Sequence, residues 1–280
     1  MIISVIGLGL LGGSLALGIK AKRAGIQIIG VDNNAVNAEK ALSLGIADKI
    51  LPLGEAVKAA DLVVLAIPVN AIAALVAPVL DLIPPHATLL DLGSTKEQIC
   101  KEADKHPNRA QFVATHPIAG TEYSGPEAAF AALLEHKTMI ICDREKSSAT
   151  SLRVVEEICH LLDMPLRYMD AISHDLHLAY VSHLSHISSF ALGITVLDKE
   201  RDEKNIFDMA GSGFSSTVRL AKSSPQMWGP IFTQNKKNVS EALGSYIKQL
   251  QAFKDIIDAE DEEQSKQLML KANDIRRILG

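Results

Sequence analysis

The hexapeptide Gly7-Leu8-Gly9-Leu10-Leu11-Gly12 lies directly behind the apolar run Met1–Ile6, and Asp32 closes a second apolar run, Ile26–Val31, twenty residues after the last glycine. Few local patterns constrain a fold more tightly. The first glycine permits a sharp turn from strand to helix, the second lets backbone approach a pyrophosphate, and the third lets helix and strand pack closely. Free N–H groups at the start of that helix face the phosphates. Strand, glycines, helix and acidic residue at this spacing predict a dinucleotide site.

Asp32 also bears on which dinucleotide is bound. A carboxylate at the end of the second strand accepts hydrogen bonds from ribose hydroxyls and repels a 2′-phosphate, and neither Asn33 nor Asn34 supplies the positive charge that a 2′-phosphate needs. NAD is therefore expected over NADP. The plainer reading of Asp32 is a cap on a helix starting near Ala35. The plainer reading of Met1 to Ile19, which carries no charge, is a signal peptide or membrane span. Five glycines interrupt that stretch, and Lys20, Lys22 and Arg23 follow it, the wrong order for a secretory signal. No other stretch is apolar for long enough to cross a bilayer, so the chain reads as cytoplasmic, with no membrane partner.

With 280 residues, 48% of them hydrophobic and 22% charged, the chain has material for two well-buried domains. A net charge of -5 gives no reason to expect nucleic-acid binding. Cys100, Cys142 and Cys159 are widely spaced and form no CxxC, so neither a disulfide framework nor a zinc knuckle is expected.

Two halves of different character follow from the hydrophobic pattern. Up to about residue 170, two-sided apolar runs at Ile2–Ile6, Gln27–Val31, Leu62–Ile67, Thr88–Leu92, Gln111–Thr115, Thr138–Cys142 and Leu166–Met169 alternate with helical patterns. This predicts an α/β domain over 1–170 built on a mostly parallel, doubly wound sheet. Several runs end in breakers, as at Ile67-Pro68, and ligands bind at such carboxyl ends. Beyond Asp170 the strand signal stops, and 171–280 reads as an all-α domain. In Ala242–Ile257 the residues Leu243, Tyr246, Ile247, Leu250, Phe253 and Ile257 fall on one helical face, and Leu268, Ala272, Ile275 and Leu279 repeat the pattern. The acidic run Asp258–Glu263 reads as a solvated connection, and the helical half as the dimer contact.

Four segments carry candidate chemistry. In Thr115-His116-Pro117, proline biases His116 toward extended geometry at a strand end, from which an imidazole can take the proton of a hydroxyl group whose carbon gives up hydride. In Asp91–Lys96, Ser94 or Thr95 is placed to cap the next helix and to bond both His116 and substrate. His174, His177, His183 and His186 are four of nine histidines. On one continuous helix His174 and His186 are about 18 Å apart, so a single metal cannot take all four, no HExxH spacing is present, and a polar helix face lining a cleft is the expectation. In Gly211–Ala221 a glycine-serine loop leads to Arg219, whose guanidinium suits a carboxylate.

Taken together, GLGLLGGS, DLGSTK, THPIAGTEYSG, SHLSH and GSGF…TVRLAKSSPQMW resemble, in order and over nearly the whole chain, the prephenate/arogenate dehydrogenase family of tyrosine biosynthesis. The resemblance implies a Rossmann-type doubly wound domain, an all-α dimerisation domain forming a homodimer, and NAD-dependent oxidative decarboxylation of prephenate to 4-hydroxyphenylpyruvate, CO2 and NADH, or of arogenate to tyrosine. It implies that His116 accepts the hydrogen bond of the ring 4-hydroxyl, that Ser94 orients both, and that Arg219 clamps a carboxylate with His186, Ser182 and the Thr121 backbone nearby. Glu122 is implied at the entrance, and His174 matches a family histidine that helix distance sets away from the substrate. The expected cofactor contacts are Gly7, Gly9, Leu10, Leu11, Gly12 and Asp32, with Ala66 and Pro68 at the end of the third apolar run; no metal is expected.

This chain has Ser215-Ser216 where many relatives carry Arg-Asp, and Tyr123 where a lysine often follows the glutamate, which bears on gating and on prephenate against arogenate. Two other functions compete. Hydroxyacid dehydrogenases and imine reductases of similar plan rely on a lysine in the first helix of the helical domain, and Asp170–Ala191 contains none. A non-catalytic NAD-binding sensor does not require His116, Ser94 and Arg219 together.

Overall fold

All seven of the expected apolar runs form strands; those inside the sheet bury side chains on both faces, while the edge run Leu166–Met169 leaves Arg167 and Tyr168 exposed. The computed structural model describes residues 1–203 and 205–279. Its strands are β1 (Ile2–Ile6), β2 (Gln27–Val31), β3 (Lys49–Ile50), β4 (Leu62–Leu65), β5 (Thr88–Asp91), β6 (Phe112–Pro117), β7 (Met139–Cys142) and β8 (Leu166–Met169). They form one sheet in the order β3-β2-β1-β4-β5-β6-β7-β8. The two-residue β3 is too short to leave a run in the sequence. Pairing is parallel except between β6 and β7, where His116 lies opposite Ile140. The order reverses between β1 and β4, and open α/β sheets bind ligands at such a switch point.

Helices α1 (Leu10–Lys22), α2 (Ala35–Ser43), α3 (Leu53–Lys58), α4 (Val69–Leu82), α5 (Glu97–Ala103) and α6 (Ala149–Leu161) connect these strands. One core packs Ile3 and Val5 of the sheet against Leu15 and Ile19 of α1 and Val155 and Ile158 of α6. The opposite face packs Val63, Leu65 and Phe112 against Ile72 and Val76 of α4 and Ile99 of α5.

The remainder contains no strand among the described residues. Its helices are α7 (Ala171–Leu178), α8 (Leu184–Asp202), α9 (Ser212–Thr217), α10 (Pro225–Gln234), α11 (Lys236–Asp258), α12 (Glu262–Ala272) and α13 (Arg276–Leu279). Trp228 and Ile231 of α10 are buried in the second core of the sheet. This joins the two halves. The acidic run is shorter as a connection than its composition suggests: α11 reaches Asp258, and Asp261 already caps α12 by accepting from Gln264 N–H. No helix among the described residues is long and apolar enough to cross a membrane.

The histidine-rich segment corrects the expectation of one regular helix. A π-helical turn, Ala179–His183, separates α7 from α8. At 3.6 residues per turn His174 and His183 would lie roughly 180° apart around the axis. The wider turn delays that rotation, and both rings are fully buried. Such insertions frequently mark functional segments.

Candidate active site

At the switch point, the carboxyl end of β1 turns through Gly7, whose φ of +96° is open to few other residues. A Cβ on Gly7 would stand 2.4 Å from the Ala66 carbonyl, and one on Gly12 2.1 Å from the Gly7 carbonyl. Both positions are closed to a side chain. Gly9 differs, since a Cβ there meets nothing within 4 Å, and it begins α1 without any side-chain cap. The helix start, with Leu10 and Leu11 in its first turn, therefore presents bare backbone N–H groups toward open space, as a pyrophosphate requires. Ala66 flanks the turn, and the exposed Pro68 leads into α4, whose first residue Val69 is buried.

Asp32 is not the helix cap. Asn34 takes that role, accepting from Val36 and Asn37 N–H. The Asp32 carboxylate accepts from Leu8 N–H at 3.0 Å and Asn34 N–H at 2.9 Å, which fixes it beside a hollow of about 340 Å³ lined in part by Ala35, Leu42 and Ile50. Shape and charge here fit the adenosine half of a dinucleotide without a 2′-phosphate.

His116 occupies the end of β6 and is 8% exposed. Its Nδ1 lies 2.8 Å from Nε2 of His174, and Nδ1 of His174 lies 2.7 Å from Oδ1 of Asp175. The sequence reading set His174 apart from the site; the fold brings it against His116. Burial foremost, then the neighbouring His174, Lys96 and His183, push the His116 imidazole well below its ordinary pKa of 6.5, so it is unprotonated at neutral pH.

The capping expectation for Ser94 and Thr95 fails. Helix α5 has no cap from either side chain; instead Asp175, reaching across from α7, accepts from Lys96 N–H at 2.7 Å and Glu97 N–H at 3.0 Å. Thr95 donates to Gln234 at 2.6 Å, and Ser94 stays half-buried with no side-chain hydrogen bond among the described residues. The sequence suggests no role for the side chains of Lys96, Asp175 and Asn235, although Lys96 closes the candidate segment Asp91–Lys96. The Lys96 ammonium is fully buried, pairs with the buried Asp91 carboxylate and donates to the Thr115 carbonyl at 2.7 Å. The Asn235 amide donates to the Asp175 carbonyl at 2.6 Å and toward Nδ1 of His183 at 3.1 Å.

The four histidines do not form one polar face: His174 and His183 are buried, His186 is half-buried, and His177 is exposed. Burial lowers the His183 pKa to about 4. The His186 ring stacks on Trp228 at 3.5 Å, and its Nδ1–H donates to the Ser182 carbonyl at 3.0 Å, leaving Nε2 as an acceptor. Burial lowers its pKa too, with the Arg219 charge adding to the effect. The expected glycine-serine loop is the short helix α9 followed by a 3-10 turn that starts at Arg219. Arg219 reaches Glu122 at 3.5 Å, on the loop that leaves His116 and passes Thr121, so a side chain of the helical half contacts the strand-end loop of the sheet half. Tyr123, Ser215 and Ser216 are exposed.

This arrangement sets an unprotonated imidazole at the carboxyl edge of the sheet, a guanidinium of the helical half on the loop that leaves it, and an uncapped helix start at the switch point of the same edge, which suits removal of hydride from a hydroxylated, carboxylated compound. Known proteins agree. Residues 15–164 match the family model of the prephenate dehydrogenase nucleotide-binding domain, and 170–271 that of the prephenate dehydrogenase dimerization domain. Prephenate dehydrogenase of Bacillus subtilis is 30% identical over 96% of this chain and 74% of its own length. Cyclohexadienyl dehydrogenase of Zymomonas mobilis is 29% identical over 98% of each chain. The crystal structure of prephenate dehydrogenase from A. aeolicus in complex with hydroxyphenyl propionate and NAD+ superposes with a TM-score of 0.90 at 31% identity, covering 100% of this chain and 98% of that one. With both halves matched in order by the family models and the whole chain superposing on a solved relative, the chain belongs to the prephenate dehydrogenase family.

Proposed function

We propose that this protein catalyses the NAD-dependent oxidative decarboxylation of prephenate to 4-hydroxyphenylpyruvate, with CO2 and NADH as the other products. The observation that carries this reading is the unprotonated His116 on β6 with Arg219 joined to Glu122 on the same outgoing loop. Gly7, Gly9, Gly12 and the backbone of Leu10 and Leu11 hold the pyrophosphate, Asp32 the adenosine ribose, and Ala66 and Pro68 the neighbouring strand end. When bound, NAD supplies the hydride acceptor.

His116 accepts a hydrogen bond from the ring 4-hydroxyl through Nε2, the nitrogen that His174 leaves free. That acceptance enriches the oxygen in electron density, which it releases toward its carbon as hydride departs from that carbon. Loss of the ring carboxylate as CO2 then aromatises the ring, and the hydroxyl keeps its proton, so no net proton is released. Ser94, with its hydroxyl uncommitted, orients the substrate oxygen. Little acid catalysis is needed; the site aligns and desolvates three groups. Arg219 clamps the side-chain carboxylate, with Ser182, His186 and the Thr121 backbone around it. Its contact with Glu122 is long and its side chain 54% exposed, so a substrate carboxylate can take the place of Glu122.

Arogenate is the second reading, and one observation favours it: beside Arg219, Glu122 and Nε2 of His186 both present acceptors suited to an ammonium group. The test is NADH formation by purified protein with prephenate and arogenate in parallel. A higher kcat/KM for prephenate supports the first reading, and turnover of arogenate alone replaces it with the second.

Two further results are expected. Arg219→Ala raises KM for the substrate on the order of tenfold to a hundredfold with a smaller change in kcat, since a charge-assisted bidentate contact contributes about 1.5–3 kcal/mol; an unchanged KM refutes the clamp. Asp32→Asn narrows the ratio of kcat/KM for NAD over NADP by about tenfold, for the same reason; an unchanged ratio removes Asp32 from cofactor selection.

We also propose that 1–170 form the dinucleotide domain and 171–280 the substrate and dimerisation domain, with a homodimer formed through the latter. Its own buried cluster is small, centred on Ala179, Val239 and Ala242, while Val181, Ile194, Ile247, Ile257 and Leu270 stay more than half exposed. An apolar face this open is of the kind a second copy covers. A small ionic substrate and a diffusible dinucleotide fit the cytoplasmic setting read from the sequence.

A further inference from the structure

We propose that His174 and Asp175 are positioning residues which fix the tautomer of His116, so that its Nε2 always meets the substrate hydroxyl as an acceptor and never as a donor. This rests on the role of His116 given above.

A chain of contacts fixes where each proton lies. The Asp175 carboxylate receives the N–H groups of Lys96 and Glu97, and an ionised carboxylate only accepts. The 2.7 Å contact between Asp175 and Nδ1 of His174 therefore places the His174 proton on Nδ1. A neutral imidazole carries one such proton, so Nε2 of His174 is a lone pair. The 2.8 Å contact from that atom to Nδ1 of His116 must then be an N–H donated by His116. The one proton of His116 is thereby spent inside the protein, and Nε2 is left bare. Burial holds both rings neutral at physiological pH. The charged and titratable groups around the pair are Lys96, Asp91 and His183, and none of them hydrogen-bonds to His116 among the described residues.

The same carboxylate joins the two halves. Asp175 belongs to α7, yet its carboxylate caps α5, directly behind Ser94, while its neighbour orients His116 on β6. One carboxylate thus ties the Ser94 turn and the His116 ring to the same helix. The Asn235 amide anchors the assembly from the far side, through the Asp175 carbonyl and Nδ1 of His183. Fixing a histidine tautomer through a carboxylate is the part played by the third member of a Ser-His-Asp triad, where loss of the correct tautomer costs about 10⁴-fold in rate. Here the carboxylate acts through an intervening histidine.

The test combines kinetics with ¹⁵N NMR of the histidine rings in the full-length protein. His174→Leu cannot accept from His116 and is expected to lower kcat about tenfold to a hundredfold with KM for NAD unchanged, the usual cost of losing a group that orients a functional imidazole. His174→Gln, whose amide can donate to Asp175 and accept from His116, recovers most of that loss. In a His116→Asn background His174→Leu has little further effect, because both act through one atom. A merely structural role predicts additive losses and no recovery by glutamine. In the wild type the ring proton of His116 is expected on Nδ1, with Nε2 unprotonated, and in His174→Leu a mixture of the two forms. A proton found on Nε2 of His116 in the wild type overturns the proposal, even if no variant folds. So does full activity of a folded His174→Leu. Because the NMR signal needs no turnover, absence of activity toward prephenate defeats the functional reading while leaving this one to be decided separately.

Discussion

His116→Asn is expected to lower kcat by about 10²–10⁴-fold while NAD affinity stays near that of the wild type, the range that a positioned acid–base residue contributes. The ring is 8% exposed, so asparagine fills much of its volume without opening a large cavity, and the glycine turn that would hold the cofactor belongs to other strands. Activity and dinucleotide binding therefore separate. The pH dependence should carry the same signature. Burial, His174, Lys96 and His183 depress the folded-state pKa of His116 well below 6.5, so the reactive neutral form is complete at pH 6.5 and the acid limb of kcat/KM falls below that value. The linked effect on stability has the same sign. The unfolded chain binds this proton near pH 6.5 and the folded one only at lower pH, so stability is lost as pH falls from 6.5 toward the folded value. A folded His116→Asn variant with normal turnover, or an acid limb above 6.5, contradicts the assignment.

The largest expected loss of stability comes from Lys96→Met. Both Lys96 and Asp91 are fully buried, and the ammonium joins β5 to the Thr115 carbonyl at the end of β6. Removing it leaves the Asp91 carboxylate, among the described residues, with only the Gly93 and Thr115 N–H groups, at 2.9 and 3.1 Å. An uncompensated buried charge of this kind costs about 3–5 kcal/mol. At about 2–4 °C per kcal/mol for a domain of this size, Tm falls on the order of 10 °C. Replacing Asp91 by asparagine together with Lys96→Met should recover part of the loss, since no charge is then left unpaired. Thermal unfolding followed by circular dichroism measures both; a single variant within about 1 kcal/mol of the wild type contradicts the pairing.

What the sequence disclosed and what it withheld follow from the range of the interactions involved. The glycine turn, the buried strands and the all-helical second half rest on residues close together in the chain, and hydrophobic period or a single φ requirement reveals them. Isolated strand-end residues such as His116, and Arg219 with Glu122, needed the family motifs to stand out. The chain from Asp175 through His174 to His116 was hidden for a physical reason. Neighbouring residues on a helix do not ordinarily face each other, so His174-Asp175 reads as two unrelated side chains. Only α5 and β6, more than fifty residues earlier, give both a common direction. The same holds for Ser94 and Thr95, whose local capping pattern was overridden by a carboxylate from a distant helix. The π-helical turn, which shifts the rotation of His183 relative to His174, has no local sequence pattern, and the axial distance from His174 to His186 said nothing of the contact that His174 makes with His116 on β6.

The proposed chemistry depends on one orientation: hydroxyl end of the substrate on His116, carboxylate end on Arg219, both beside the nicotinamide. A crystal structure of the protein with NAD and hydroxyphenyl propionate, the pair held by the A. aeolicus relative, measures that orientation directly. The expected result is a phenolic oxygen within hydrogen-bonding distance of Nε2 of His116 and a propionate carboxylate on the Arg219 guanidinium in place of Glu122. A ligand bound in the reverse sense, or one whose hydroxyl lies out of reach of His116, contradicts it.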